Sequence, residues 1–560
     1  MTFHARDLAQ AWRVTAVMAL ACVIAACGGA APASPAAPNG TLRLTVEGPD
    51  DVATPARVEL RDASGVAYLP DQSLRVAGAC SAPAPEWWSA GGLASAPPTG
   101  VTDPDSGLMQ FYVASPIEVA LPPGRYTVTV TKGLEYREVT STFDVRTSGA
   151  TDVVIALERW IDLPARGWFG GDAHLHITRP GRELDDLIAN WMRAEDVHVA
   201  TLLQSGTHGG RIESSPQGSF GAASVYQDGD TIVASGQENP RTWLLGHGIV
   251  LGADAYLDSI DDYLAYDTVW RAARAQGALL GYAHFQGPGI MLDAPDGFVD
   301  FLEVLQFDVA NYDALYALWT LGFRVSPFAG TDHPCAPSGV PGSQRLYARV
   351  DGALSYHGWL EAIRAGRTFV SNGPAIDLAV DGAGIGSEVR LAQPGTVHVR
   401  ARVDFDPVRD DVEALEIVRG GRVIAAAAPE PDAPGEIVIE ADVDMVRPDW
   451  LAARARGVKI ASRAGARIRE SHAHTGAVHV VVDGVASQEP RARALASVVV
   501  SHLERLEGRV DDEGIDASGK LPEGWTGVTP EVLHTGQVHL LDRIADARAF
   551  WRKLAALAAR

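Results

Sequence analysis

The alternation of apolar and polar positions changes rhythm along the chain. From about Thr41 to Leu157 it has a period of two, in "TLRLTVEG", "ARVELRDASG", "PIEVALPPGRYTVTVTKG" and "STFDVRT", with Gly, Pro and Asp punctuating the runs. Successive side chains of a strand point to opposite faces, so this period predicts half-buried strands. Residues 41–160 are therefore expected to form a β-sandwich with a polar loop insertion around "SAPAPEWWSAGG". Between Arg166 and Ala375, short runs rich in β-branched residues ("HVATLL", "TIVASG", "ALLGYAH", "FLEVLQ", "RVSPFAG") alternate with stretches at helical spacing. Those stretches are "ELDDLIANWMRAED", "SIDDYLAYDTVWRAARAQG", "NYDALYALWTLG" and "SYHGWLEAIRAG". Alternating β and α units predict a parallel sheet, and over roughly 200 residues a barrel is its natural closure. Residues 161–375 are thus expected to be a distorted, TIM-like β/α barrel with its chemistry at the C-terminal strand ends. Period two returns in "AIDLAVDG", "GTVHVRARVDF", "ALEIVRGGRVI" and "EIVIEADVD", predicting a second sandwich over residues 376–485. Residues 486–560 carry amphipathic helices that fit packing on the body of the protein. The expected fold class is multidomain, α/β plus all-β: a β/α barrel flanked by N- and C-terminal sandwiches, with a C-terminal helical segment.

Composition narrows the partners. The 560 residues carry a formal charge of −23, which argues against nucleic acid. Residues 1–27 read as an export segment: Arg6 and Arg13 precede the apolar run Val14–Ala26, which is too short to span a bilayer as a mature helix. "VIAACGG" resembles the lipobox of bacterial lipoproteins, which implies lipidation of Cys27; ordinary secretory cleavage is the alternative. Either way the protein is expected outside the cytoplasm, in the periplasm or at the cell surface. Its only membrane contact would be the N-terminal lipid anchor, followed by an Ala/Pro-rich tether over residues 28–40. Of the four cysteines, Cys22 and Cys27 belong to that segment. Cys80 and Cys335 remain, with Cys335 read as a free thiol or, less readily, a metal ligand. The segment "LPPGRYTVTVTKGLEYREV" resembles the regulatory β-sandwich modules attached to many secreted enzymes, of the carboxypeptidase-regulatory kind.

The candidate chemistry lies in where the histidines fall. In "GGDAHLH", His174 and His176 share one face of an extended segment. His284 and His333 also fall at or just past the end of an expected barrel strand, as do the acids Asp172, Glu238 and Asp332. A barrel converges such ends on one mouth. Several imidazoles with carboxylates form an N/O ligand set suited to zinc, manganese or iron and unlike a thiolate structural site.

The order "GDAHLH … SGQEN … LGHGIVLGA … GYAHFQ … FAGTDH" resembles the PHP superfamily of metal-dependent hydrolases and phosphoesterases. "LSYHGWLEAIRAGRTFVSNGP" is similar, more narrowly, to the carbaryl-hydrolase (CehA/McbA) branch. The resemblance covers about Gly167 to Leu391 and implies metal contacts from His174, His176, Glu238, His284 and Asp332, with His247 matching a less uniform ligand. The chain departs from the pattern where "LLQSGTHGG" lacks an aspartate, leaving His208, and where Asp332 and His333 are adjacent instead of separated by one residue. Both departures fall on the third metal of fuller sites, so one or two divalent ions are expected. On this reading His174, His176, Glu238 and Asp332 hold the principal ion, and His284 with His247 holds a second or orients water. His333 or His208 would protonate the leaving group, and Arg345 would bind an anionic group of a small-molecule substrate. An ester, amide or carbamate hydrolase is the first expectation and a phosphoesterase the second. The third is a non-catalytic surface protein that binds through Trp87 and Trp88. Substrate, metal identity and oligomeric state stay open.

Overall fold

Burial follows the period of two closely at the start of the folded body. In the strand Gly40–Glu47, alternate residues Leu42, Leu44 and Val46 are buried while their neighbours face outward. In the computed structural model the described residues are 40–76, 87–103, 107–208, 211–212, 215–259, 261–285, 287–335, 339–460, 469–485, 490–512 and 528–557. Gly40–Glu47 is flanked by Ile117–Leu121 and Ala150–Ala156 in a three-stranded sheet. A five-stranded sheet centred on Ala56–Asp62 faces it across a core of Leu42, Val58, Phe111, Val128 and their neighbours.

The central sheet contains β1 (Trp168–Leu175), β2 (Val199–Ser205), β3 (Thr231–Thr242), β4 (Gly246–Leu251), β5 (Leu279–Tyr282), β6 (Phe301–Gln306) and β7 (Ser326–Ala329). It also contains β8 (Arg345–Arg349) and β9 (Thr368–Ser371). Strands β1, β2 and β3 pair in parallel, as do β5, β6 and β7. Between them β4 runs antiparallel to both β3 and β5. The chain beyond β7 returns to β1, where His176 N donates to His333 O at 2.7 Å, and β8 lies antiparallel along the first half of β1.

Among the described residues the structure does not show the expected TIM-like barrel of alternating parallel strands and helices; the central sheet closes on itself with mixed strand directions. The molecule is 40% strand and 23% helix, with several sheets and few helices. Alternation fails at a definite place. Only residues 243–245 separate β3 from β4, and a parallel return needs a crossover of about a dozen residues or more, so the chain turns back as a hairpin. The helical spacing itself was informative. Helices α1 (Asp185–Ala194), α2 (Tyr266–Ala275), α3 (Asp313–Thr320) and α4 (Tyr356–Arg364) lie where the apolar pattern predicts them.

The C-terminal strands make two layers around a core that includes Ile376, Val399, Leu415, Ile417 and Leu451. One layer is a four-stranded sheet containing Ala375–Val380, Gly395–Asp404 and Glu436–Met445. The other is continuous with the central sheet, because β9 pairs with Glu470–Thr475. Trp168, Tyr347 and Phe369 of the central strands share its core. Helices α5 (Pro490–Glu507) and α6 (Pro530–Leu557) dock Leu503, Leu540, Ile544 and Trp551 into the core of the central body. Arg543 anchors α6 there through Asp293 at 2.8 Å.

Of the Trp87 and Trp88 pair, an apparently exposed loop feature in sequence that could equally be packing, Trp88 is packed. Trp88 is only 2% exposed, and its indole donates to Thr178 O at 2.7 Å, joining the N-terminal insertion to the chain just after β1.

Candidate metal centre

Two glycines explain how β1 can carry histidines into so crowded a place. A Cβ on Gly171 would lie 2.5 Å from the Trp359 ring and 2.8 Å from Val199 O, so no side chain fits between β1, β2 and α4. Gly330 does the same beyond β7, where a Cβ would stand 2.4 Å from that of His174. The chain can therefore pass directly against His174 and deliver the next residues to it. Asp332 follows in a left-handed backbone conformation, φ 57°, which turns its carboxylate into the cluster. His284, after β5, is also left-handed at φ 60°. Such conformations are costly for non-glycine residues and concentrate at functional sites.

Four of the expected ligands converge. His176 Nε2 lies 3.2 Å from Glu238 Oε2 and 3.1 Å from Asp332 Oδ1. His174 Nε2 stands 3.6 Å from Asp332 Oδ1 and 3.9 Å from Glu238 Oε1, fully buried and without a hydrogen-bond partner. Ligand atoms about 2.1 Å from a tetrahedral ion are about 3.4 Å apart, so these separations match a shell around one ion. The buried cluster of His174, His176, Glu238 and Asp332 can hold a metal ion. Beside it His247 Nδ1 lies 2.6 Å from Glu238 Oε1 and 3.0 Å from His284 Nε2, giving a second grouping of Glu238, His247 and His284.

The surrounding polar groups aim these side chains, and most of them escaped the sequence reading. Glu303 on β6, wholly buried, has its carboxylate oxygens 3.1 and 3.2 Å from His174 Nδ1 and accepts from His284 N at 2.8 Å. A proton held at Nδ1 leaves the Nε2 lone pair facing the cluster, the usual arrangement behind a ligating histidine. Ser205 lies 3.0 Å from His176 Nδ1, and Gln306 2.7 Å from His284 Nδ1. Asp172 is not part of the ligand set. Its Oδ2 accepts from Thr331 Oγ1 at 2.5 Å and Gly342 N at 2.8 Å, and its Oδ1 from His174 N and Thr331 N, so it braces β1 against the β7 loop. Glu303 could have been suspected as a lone acid inside "FLEVLQ"; nothing in the sequence distinguished Ser205.

Charge explains why this cluster wants a cation. Burial alone would lower the histidine pKa values, yet Glu303 and Asp332 raise His174, and Asp332 with Glu238 raises His176 to about 9. His284 is likewise raised to about 9 by Glu238 and Asp332 against its burial. The carboxylates move the other way. Glu238 is held well below the usual range by Arg241, His247 and His176 despite burial, and Asp332 is lowered by His174 and His176. His247 differs, since burial and Arg241 bring it down to about 4.

Of the remaining candidates, Arg345 and His333 are not brought into the cluster. Arg345 is 1% exposed, and its guanidinium donates to Gly342 O, Asp196 O and Glu195 O, so it ties three carbonyls together and is not free for substrate. Arg241 on β3 is the arginine at the centre, its Nε 3.5 Å from Glu238 Oε2. His333 is directed elsewhere, after the left-handed turn at Asp332. Its Nδ1 donates to Gly339 O at 2.9 Å, its ring meets Trp191, and burial lowers it to about 4. His208 lies in a short hairpin with Arg211, and its side chain is outside the described residues, as is Cys27. Cys335 is neither a free thiol nor a ligand. Its sulfur comes near His176 and Asp332, but it is disulfide-bonded, which removes the thiolate a metal would need.

No family model matches the chain, and no curated protein does. Among solved structures, an engineered protein is similar over 45% of this chain and 66% of its own, at 12% identity and a TM-score of 0.11. That score is too low to indicate a shared fold. No described helix is long and apolar enough to cross a membrane.

Proposed function

We propose that the chain is an exported, metal-dependent hydrolase that cleaves an ester, amide or carbamate bond of a small molecule. The observation that carries this reading is the buried, unpartnered Nε2 of His174, aimed at the same point as His176, Glu238 and Asp332. The resemblance of its motif order to the PHP superfamily adds to it. The N/O donor set suits zinc, manganese or iron.

His174, His176, Glu238 and Asp332 would hold one ion; Glu238 Oε1, His247 and His284 would hold a second. Metal bound there supplies a water acidified toward neutrality and an electrophile for the substrate oxygen. Glu303 keeps the His174 lone pair on the site side, Ser205 and Gln306 fix the rings of His176 and His284, and Asp172 holds the Asp332 loop against β1. Phe307, in a left-handed conformation at φ 54°, stacks on the His284 ring at 5.6 Å and walls that side with an apolar face. The Cys335 disulfide supports export, since such bonds persist in oxidising compartments. Anchoring through Cys27 belongs to the same reading.

The test is made on the chain from Gly28 onward, by measuring bound metal and assaying aryl ester, carbamate and phosphoester substrates beside a His174→Ala, Glu238→Ala double variant. The expected result is joint loss of metal and of ester or carbamate hydrolysis in the variant. Activity on phosphoesters alone would move the reading to phosphoester cleavage. A parent that takes up none of zinc, manganese or iron would end both.

A further inference from the structure

Arg241 is a cation placed beside the centre, within ion-pair range of Glu238 but hydrogen-bonded to nothing among the described residues. It lies on β3 directly opposite His247 on β4, so the two side chains are neighbours on the face that carries Glu238. The ladder shifts register between Glu238 and Arg241, and this irregularity brings both residues to the same side. The side chain is 15% exposed. Its Nε is buried without a hydrogen-bond partner, and among the described residues its guanidinium makes no hydrogen bond.

Glu238 does not satisfy it. The carboxylate stands 3.5 Å from Nε, beyond hydrogen-bond range, and its oxygens already face His176 and His247 at 3.2 and 2.6 Å. The charge of Arg241 nevertheless acts on Glu238, His247 and the Tyr256 hydroxyl. Arg345 shows what a structural arginine looks like in this protein: every arm of its fork ends on a carbonyl. A planar fork left open within reach of a metal cluster matches the geometry of an oxyanion.

We propose that Arg241 is the anion-binding residue of this site and that the substrate carries an oxyanion, carboxylate or phosphoryl, next to the bond that is cleaved. The proposal rests on the hydrolase reading for the cleavage but not for the anion. The Arg241 fork takes the oxyanion beside the cluster, where the His284 ring is stacked on Phe307.

The experiment uses the full chain from Gly28 onward, zinc-loaded, with the parent compared to Arg241→Met and Arg241→Lys. Bound zinc is measured first and is expected to be equal in all three, because Arg241 is not a ligand. Calorimetric titrations then follow with benzoate, inorganic phosphate and neutral benzamide. At least one anion is expected to bind the parent and to weaken roughly 10–100-fold in Arg241→Met, with partial recovery in Arg241→Lys and no change for benzamide. Preference for benzoate or phosphate identifies the carboxylate or phosphoryl form, and either supports the proposal. No measurable binding of either anion to the parent, or equal binding by parent and Arg241→Met, overturns it. A parent that takes up none of zinc, manganese or iron ends the hydrolase reading separately, and the same titrations on metal-free protein still decide the role of Arg241.

Discussion

Burial acts with opposite outcomes on the histidines of the metal cluster and on His474 in the C-terminal part of the sheet. At the ends of the central strands His174, His176 and His284 sit among Glu238, Glu303 and Asp332 and keep their protons above the ordinary range, the last two to about 9. In the C-terminal part of the same sheet His474 is also fully buried, but burial lowers it to about 3. Its Nδ1 donates to Thr475 O and its Nε2 accepts from the Tyr316 hydroxyl at 2.7 Å, with no carboxylate in contact. Imidazoles alone therefore do not make a cation site here. Carboxylates around them do, because buried negative charge must be neutralised by protons or by metal.

The largest break in this comparison comes from removing a ligand. His176→Ala is expected to lose metal affinity by roughly 100-fold or more, and His474→Gln to keep the parent's stoichiometry, both read by metal titration. Equal behaviour of the two variants would erase the distinction. Next comes Glu303→Gln, which leaves all ligands in place but removes the charge on His174 Nδ1; affinity should fall 10–100-fold, and an unchanged affinity would show that Glu303 is only packing.

His474 offers a smaller effect on stability. Its folded pKa of about 3 lies below the unfolded value near 6.5, so the unfolded chain takes up a proton in that window and the folded chain does not. Its contribution is therefore intact above about pH 6.5 and is lost as pH falls toward 3. His474→Gln should flatten acid denaturation by about 1–2 kcal/mol between pH 6 and 4, measured by urea unfolding at each pH. A parallel slope in both proteins would contradict it. The smallest expected change is Ser205→Ala, a few-fold loss of metal affinity through a less firmly oriented His176 ring.

Much of the site was legible because it depends on local rules. Alternation along a strand put His174 and His176 on one face, and placement after strand ends brought His284 and Asp332 to them; Glu238 joins them although β3 runs on to Thr242. Adjacency in a regular strand would turn Asp332 and His333 to opposite faces, but β7 ends at Ala329 and the left-handed turn at Asp332, not strand alternation, sets their directions. What escaped detection were contacts between distant segments. Arg345 and Arg241 look alike as sequence; only the fold puts the first on three carbonyls and the second beside Glu238. Glu303 reads as one polar position in an apolar run until β6 is laid against β1. The barrel expectation failed on a similar point, since a short connection hid inside an apparent βα unit and turned β4 antiparallel.

By itself the sequence determined periodicity: where strands and helices run, which residues share a face, and that imidazoles and carboxylates gather at strand ends. Those properties are set within a few residues by backbone geometry. The tertiary structure decided how the strands closed, which arginine reached the centre, that Trp88 is packing and that Cys335 is oxidised. Each depends on segments far apart in the chain meeting at distances of a few ångströms, and no local pattern encodes that meeting.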